Sequence, residues 1–264
     1  MRNKLVLAVV AAIVTLVVLL SANAQRFGGA SFIESARSGN EAAVRRFLNS
    51  GVSPNTRDTS DKDNSTVLMV AAMAGQTAVV KTLLKAGANA NETDREGRSA
   101  LMWAAWKGHT DTALALLARG AKGNAQDNSG VPALGFAISA RQTETVKALL
   151  DFGVDPNLKS TRSPNALLSA LMTGYKEITE PLLAKGADAN SKDKLGRSAL
   201  MIAVEKGDPE VVRSLLRHGA DVDLRDRSNR TALQQAQAHA SSAIVQILID
   251  AGAQPNRSSE NTWP

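Results

Sequence analysis

The sequence predicts an all-α solenoid of about seven stacked helix-turn-helix units, and three observations carry that expectation. Gly87, Gly120, Gly153, Gly186, Gly219 and Gly252 recur every 33 residues, each followed by Ala or Val and each opening a Gly-x-x-x-Asn/Asp phrase. Ala71, Ala104, Ala137, Ala170, Ala203 and Ala236 recur with the same 33-residue spacing, a second register that agrees with the first. A period of this length marks supersecondary units that cannot bury an apolar face singly and must stack on their neighbours. The third observation is compositional: 264 residues with 44% hydrophobic and 21% charged content can build a core, but 3% aromatic content leaves the packing to alanine and leucine.

The elements of one unit follow from its residues. In the stretch from Asp193 to Asp223, a turn containing Gly196 leads into a short helix around Ser198 to Glu205. Gly207-Asp208-Pro209-Glu210 breaks it and starts a second helix, Glu210 to Arg217, with Pro209 suited to a first turn. Val211, Val212, Leu215 and Leu216 fall on one face of that helix, and Gly219 is placed to end it in a left-handed conformation. Small Ala203 lets the paired helices approach, while Leu200 and Leu215 fill the layer between units. Gly51 precedes Gly87 by 36 residues, so a three-residue insertion separates the first two units. At the start, Ser31-Phe32-Ile33-Glu34 has capping-box spacing, and near the end Gln234, Gln235, Gln237 and His239 make a polar helix; both are expected to be ends that meet water.

The unit Asp94-Arg95-Glu96-Gly97-Arg98-Ser99-Ala100-Leu101-Met102-Trp103-Ala104-Ala105-Trp106-Lys107-Gly108-His109, closing in Leu116-Leu117-Ala118-Arg119-Gly120-Ala121, resembles an ankyrin repeat. The resemblance covers about residues 31 to 257, in units near 31–58, 65–94, 95–127, 128–160, 161–193, 194–226 and 227–257. It implies a solenoid with β-turn tips, within a domain of residues 25–257 followed by a polar tail, 258–264. The Thr-Pro-Leu-His segment departs from the family: it reads Ser99-Ala100-Leu101-Met102, Pro132-Ala133-Leu134-Gly135, Asn165-Ala166-Leu167-Leu168, Ser198-Ala199-Leu200-Met201 and Thr231-Ala232-Leu233-Gln234. The family's histidine hydrogen bonding loses its residue, and the fold does not depend on it.

The first 24 residues read as a secretory signal peptide. Arg2 and Lys4 precede an apolar run from Leu5 to Leu20, and Ala22-Asn23-Ala24 forms a small-x-small cleavage pattern. Cleavage after Ala24 gives a chain starting at Gln25 and lowers the formal net charge from +6 to +4. An uncleaved inner-membrane anchor is the alternative, and through that N-terminal segment the chain would meet a membrane. The expected location is periplasmic or secreted. The absence of cysteine removes thiol nucleophiles, disulfides, cysteine-ligated zinc and iron–sulfur clusters.

Little chemistry is expected. Asp58, Asp61 and Asp63 lack the glycine and closing glutamate of a calcium loop and read as a solvated insertion. His109 belongs to the family's Gly-His pattern, His218 sits at a helix end, and Asp111, Glu144, Glu177 and Glu210 recur every 33 residues at helix starts, where they complement the dipole. No phosphate loop, His-Glu-x-x-His helix or Gly-x-Ser-x-Gly elbow is present. The reading is of a non-catalytic protein without metal or cofactor.

What remains is surface. The resemblance implies a concave groove lined by the turn tips and the first helix of each unit. Carried onto this chain, the partner-binding residues are Arg95, Arg98, Trp106, Lys107, Arg162, Lys194, Arg197, Lys206, Arg227 and Arg230. The wider lining, which adds Met73, Ser139, Met172 and Glu205 among others, contains nine Lys or Arg against two Glu. The expected partner is a protein with an acidic surface steered into the groove; an anionic polymer or membrane headgroups are the alternative. Nucleic acid is not expected, because export removes the chain from it and stacking aromatics are few. Trp106 is the expected anchor and Trp103 is expected to pack inward.

Overall fold

A computed structural model describes residues 29–158, 164–239 and 241–254. The signal-peptide segment, Arg162 and the polar tail with Trp263 lie outside the described residues. Helix α1 holds residues 29–37 and pairs with α2 (Glu41–Asn49). Then come α3 (Val67–Met73), α4 (Thr77–Lys85), α5 (Ala100–Lys107), α6 (Thr110–Leu117), α7 (Ala133–Ser139) and α8 (Thr143–Asp151). The chain continues through α9 (Ala166–Met172), a 3-10 turn Lys176–Ile178 running into α10 (Thr179–Ala184), α11 (Ala199–Lys206), α12 (Pro209–Arg217), α13 (Ala232–Ala238) and α14 (Ser242–Asp250). Antiparallel helices pair within a unit; α3, α5, α7, α9, α11 and α13 stack in one row, and α2 to α14 in the other. Between units the tips carry isolated antiparallel bridges, such as Thr93 with Ser99 and Lys192 with Ser198, and no strand occurs among the described residues. The all-α solenoid is as the sequence predicts.

The repeating glycine has a specific job. Gly219 has φ of +82°, its N–H donates to the Leu216 carbonyl, and the Ala220 N–H reaches back to Leu215. This pair of bonds satisfies the last carbonyls of α12, and Ala220 is then buried against the helix it closes. The same pair recurs at Gly87-Ala88, Gly120-Ala121, Gly153-Val154, Gly186-Ala187 and Gly252-Ala253. An apolar residue must therefore follow each glycine. The asparagine that ends the phrase ties units together: Asn91 Oδ1 accepts from the Lys122 N–H at 2.8 Å while its amide donates to the Gly120 carbonyl at 3.0 Å. Asn157 does the same with Asp188 and Gly186, and Asn190 with Asp221 and Gly219.

The core is a continuous layer between the two rows of helices. Leu101, Leu134, Leu167, Leu200 and Leu233 from the first helices, and Leu83, Leu116, Leu149, Leu182, Leu215 and Leu248 from the second, are all buried. Ala203 is buried between them.

Methionine replaces the missing histidine chemistry. Thr66, Ser99 and Ser198 cap α3, α5 and α11, accepting from the backbone of Met69, Met102 and Met201. Each methionine sulfur in turn accepts the cap residue's own N–H at 3.4 Å. A thioether is a weak acceptor, but at a buried helix start it leaves no donor orphaned. In the last unit Gln234 Oε1 does this for Thr231 at 2.9 Å.

Three expectations are corrected. Ser31 lies inside α1 and its carbonyl accepts from the Ser35 hydroxyl, so Ser31 and Glu34 form no capping box; the helix already includes residues 29 and 30. Gln235 is buried, donating to Asp226, and Gln234 is half-buried in its cap, so only Gln237 and His239 of that set are exposed. The insertion carboxylates are structural rather than solvated: Asp58 is buried and accepts from Ser60 and Arg37, and Asp61 accepts from Ser65 Oγ at 2.6 Å and the Asp63 N–H. A loop longer by three residues exposes extra backbone donors, and these acids satisfy them.

Leu200→Ala should cost about 2–5 kcal/mol in urea unfolding, because it opens a cavity between stacked units. Ser198→Ala, which removes only the cap, should cost about 1 kcal/mol. An equal cost would mean that packing between units does not dominate stability.

Candidate interaction surface

Among the described residues, four tips are each built around one aspartate. Asp94 Oδ1 accepts the N–H groups of Glu96 and Arg98 at 3.0 and 2.8 Å, folding the turn over its own carboxylate. Asp127, Asp193 and Asp226 do the same two and four residues on. The other carboxylate oxygen takes a side chain: Arg98 Nε at 2.8 Å on Asp94, Arg197 Nε at 2.8 Å on Asp193, and Arg230 Nη2 at 3.0 Å on Asp226. Arg98 also meets Asp63 at 2.9 Å, and Arg197 meets Glu205.

These pairs redistribute the charge expected of this surface. Arg98, Arg197 and Arg230 point their charge at an acid of their own turn, so they add little to the field that a partner meets. Arg95, Lys107, Lys194, Lys206 and Arg227 form no ion pair among the described residues and all are exposed. Arg95 bonds to a carbonyl, Lys62 O, at 2.7 Å. Among the described residues of this set, available positive charge therefore sits in two places, around Arg95 and Lys107 in the third unit and around Lys194, Lys206 and Arg227 towards the C-terminus. The turn aspartates were legible in the sequence as a recurrence in step with the glycines, and counting only the tip cations overlooks them.

The carboxylates respond to this setting. Asp226 is held below the ordinary carboxylate range, chiefly by the Arg230 backbone N–H, with burial opposing and the Arg230 guanidinium and Ser228 N–H adding to it. At Asp193 burial pushes the carboxyl up, but the hydrogen bonds from Arg197 and the Leu195 N–H outweigh it and the net direction is down.

Trp103 packs inward as expected, 8% exposed, with Nε1 donating to Asp94 Oδ2 at 3.2 Å and the Arg98 guanidinium 4.4 Å above its ring. Trp106 is 41% exposed on the last turn of α5, tilted against Trp103 with ring centroids 5.5 Å apart. Lys107 Nζ lies 4.6 Å from the Trp106 ring. This places an amphipathic aromatic beside a cation at the surface, the composition of an interface anchor.

A groove that the sequence reading did not anticipate opens between α7 and α9. It encloses about 490 Å³, and its lining includes Val131, Pro132, Gly135, Phe136, Leu158 and Met172. Its origin lies in two departures at the start of α7. Where the second, third and sixth units have Ser or Thr followed three residues later by Met, this unit has Pro132 and Gly135. Proline has no N–H to satisfy, so no acceptor is needed at position 135, and glycine there leaves the space a methionine would fill. A Cβ on Gly135 would stand 3.0 Å from Val131 Cγ1, so even alanine presses on the wall. Met172 at the rim is 40% exposed, and Leu195 at a neighbouring tip is 59% exposed. Trp106, Met172 and Leu195 are thus exposed apolar side chains on the tips and first helices that also carry the two cationic groups.

The family model described as ankyrin repeats (3 copies) matches residues 32–127, 123–193 and 167–259, nearly the whole of the described chain. The chain belongs to the ankyrin-repeat family. Among solved structures it is similar to the ankyrin repeat domain of Bcl-3, described as a unique member of the IkappaB protein family. The TM-score is 0.74 with 29% identity, over 83% of this chain and 97% of that one. It also matches the human ASB11 ankyrin repeat domain with a TM-score of 0.68 and 24% identity, over 85% of this chain and 99% of that one, which supports the fold alone. Comparison with curated proteins finds no match. Ankyrin repeats are generally protein–protein interaction modules.

Because Asp193 and Asp226 have depressed pKa values in the folded state, their stabilisation is fully present above the unfolded carboxylate value of about 3.9 and is lost as pH falls through the folded values. Asp193→Asn and Asp226→Asn should therefore shrink the difference between urea midpoints at pH 7 and pH 3. An unchanged difference in the double variant would exclude the turn aspartates as acid-sensitive groups.

Proposed function

We propose that this ankyrin-repeat protein is a non-catalytic binding module that seats an acidic partner protein along its tips and first helices. The apolar groove opened by Pro132 and Gly135 is the observation that supports this most. A cleft of about 490 Å³ with largely apolar walls, whose charged lining residues are Asp127 and Asp155, suits an apolar anchor from a partner whose carboxylates meet Lys107, Lys194, Lys206 and Arg227 elsewhere on the tips and first helices. Rigidity supplies the mechanism: a stacked array presents this surface already ordered, so little conformational entropy is lost on association.

A polyanion reading is less well supported, because three of the arginines that suggested it are paired with aspartates in their own turns. The N-terminal segment, with its basic start, apolar run and Ala22-Asn23-Ala24 end, supports export with cleavage after Ala24. We assign the protein to the periplasm or the secreted fraction on that basis.

Gly135→Met supplies the side chain that three other units carry and fills the groove. Gly135→Met and Trp106→Ala should each weaken capture of the partner from the native cell envelope at least tenfold, with circular dichroism and melting close to the parent for Trp106→Ala. Retention that is unaffected by both changes, or that falls with salt in proportion to the number of cations while ignoring Gly135→Met, would favour a polyanion instead. Intact-mass measurement of the protein purified from its native source should show an N-terminus at Gln25; a retained Met1 would point to the anchored form.

A further inference from the structure

In three successive places a side chain just before the second helix of one unit closes over the glycine at the end of the preceding unit's first helix. Gln76 covers Gly39 and donates from Nε2 to the Arg37 carbonyl at 3.2 Å. His109 covers Gly75, with Nε2 3.1 Å from the Met73 carbonyl. Gln142 covers Gly108 and donates to the Trp106 carbonyl at 3.3 Å. Each therefore brings an N–H to the carbonyl two residues before the covered position. Tyr175 stands next in the row, its ring under the Arg141 guanidinium, while Arg141 itself bonds to the Thr173 carbonyl at 2.7 Å.

The row then fails. The next residue in register is Asp208, and its carboxylate turns back to cap α12, accepting from the Glu210 and Val211 N–H groups at 3.1 and 3.4 Å, with Lys176 Nζ 3.4 Å away. Nothing lies within 4 Å of where a Cβ on Gly174 would point. A crevice of about 270 Å³ opens there, lined among others by Gly174, Tyr175, Lys176, Thr179, Lys206 and Asp208. Thr179 is only 1% exposed, yet its hydroxyl has no hydrogen-bond partner. In the two preceding units the corresponding hydroxyls, Thr112 and Thr145, sit one step earlier and pair with Thr77 and Thr110 at 2.7 and 2.8 Å. Gly207 is also uncovered, but no buried unpartnered group accompanies it among the described residues.

We propose that this crevice receives a primary carboxamide, the glutamine side chain of a partner polypeptide, in the place that Gln76 and Gln142 fill from within the chain. The amide NH2 donates to the Met172 carbonyl, the counterpart of the Arg37 and Trp106 carbonyls, and the amide oxygen accepts from the Thr179 hydroxyl and the Lys206 ammonium. A carboxylate of the same shape offers no donor for the carbonyl. The assignment rests on the reading of the chain as a protein-binding module, and Lys206, which belongs to that face, also lines the crevice.

Propionamide, which is the glutamine side chain alone, tests this without any partner. Titrated into the 15N-labelled protein, it should give saturable shifts at the Gly174, Tyr175 and Thr179 amides, while propionate at equal concentration binds at least fivefold more weakly. Thr179→Val, which keeps the volume and removes the hydroxyl, should weaken propionamide binding at least fivefold, and so should Lys206→Met on the surface. Asp208→Gln should abolish it by supplying the amide from within. No saturable shift, equal binding of propionate, or affinity unchanged in both Thr179→Val and Lys206→Met would overturn the proposal. Because no partner enters this titration, its failure is separate from the outcome of the Trp106→Ala and Gly135→Met capture experiment.

Discussion

Closure of each unit's apolar face by the next unit is the constraint on which everything else in this molecule depends. A pair of helices of seven to nine residues, such as α11 and α12, has too little interior of its own; Leu200 and Leu215 are buried because helices on either side cover them. Short helices are marginal in isolation, so helical order and stacking are one event. The polar devices serve that stacking. The Gly-Ala or Gly-Val pair ends each second helix without an orphaned carbonyl, the asparagine then reaches across to the next unit, and the aspartate folds the tip so that the following helix begins in register.

Such an architecture lets local departures become functional features. A unit that loses one side chain is still held by its neighbours, so a vacancy persists as a groove instead of collapsing. Pro132 and Gly135 remove a donor and its acceptor together, and the cost of an unsatisfied group is avoided while space is gained. Asp208 acts differently: it serves its own helix and leaves Gly174 uncovered, so the polar crevice follows from a competition between capping and covering. The electrostatic character of the face is set in the same way, by which cations find an acid within their own turn and which remain free.

How much of this was legible follows the range of the interactions. Helix starts and stops around Ser198, Gly207, Pro209 and Gly219 were readable because caps and breakers act over a few residues. The outward position of Trp106 was legible through the family resemblance, which places it among the first-helix groove positions, and its neighbour Trp103 packs inward as expected. The Ser31 to Glu34 expectation failed because a capping-box spacing also occurs inside a helix, and only the preceding backbone decides which it is. Gln235 was misjudged because its burial depends on Asp226, nine residues earlier, offering an acceptor.

By itself the sequence determined the period, the helical pairing and the family, since each is encoded by short-range pattern repeated along the chain. Only the tertiary structure decided which arginines are neutralised, where methionine sulfur substitutes for the family's histidine, where the apolar groove opens, and which buried hydroxyl goes without a partner. These properties belong to pairs of residues rather than to residues. A charge is free or spent, and a space open or filled, according to which neighbour the stacking brings within about 3 to 4 Å, the range over which hydrogen bonds and packing contacts act.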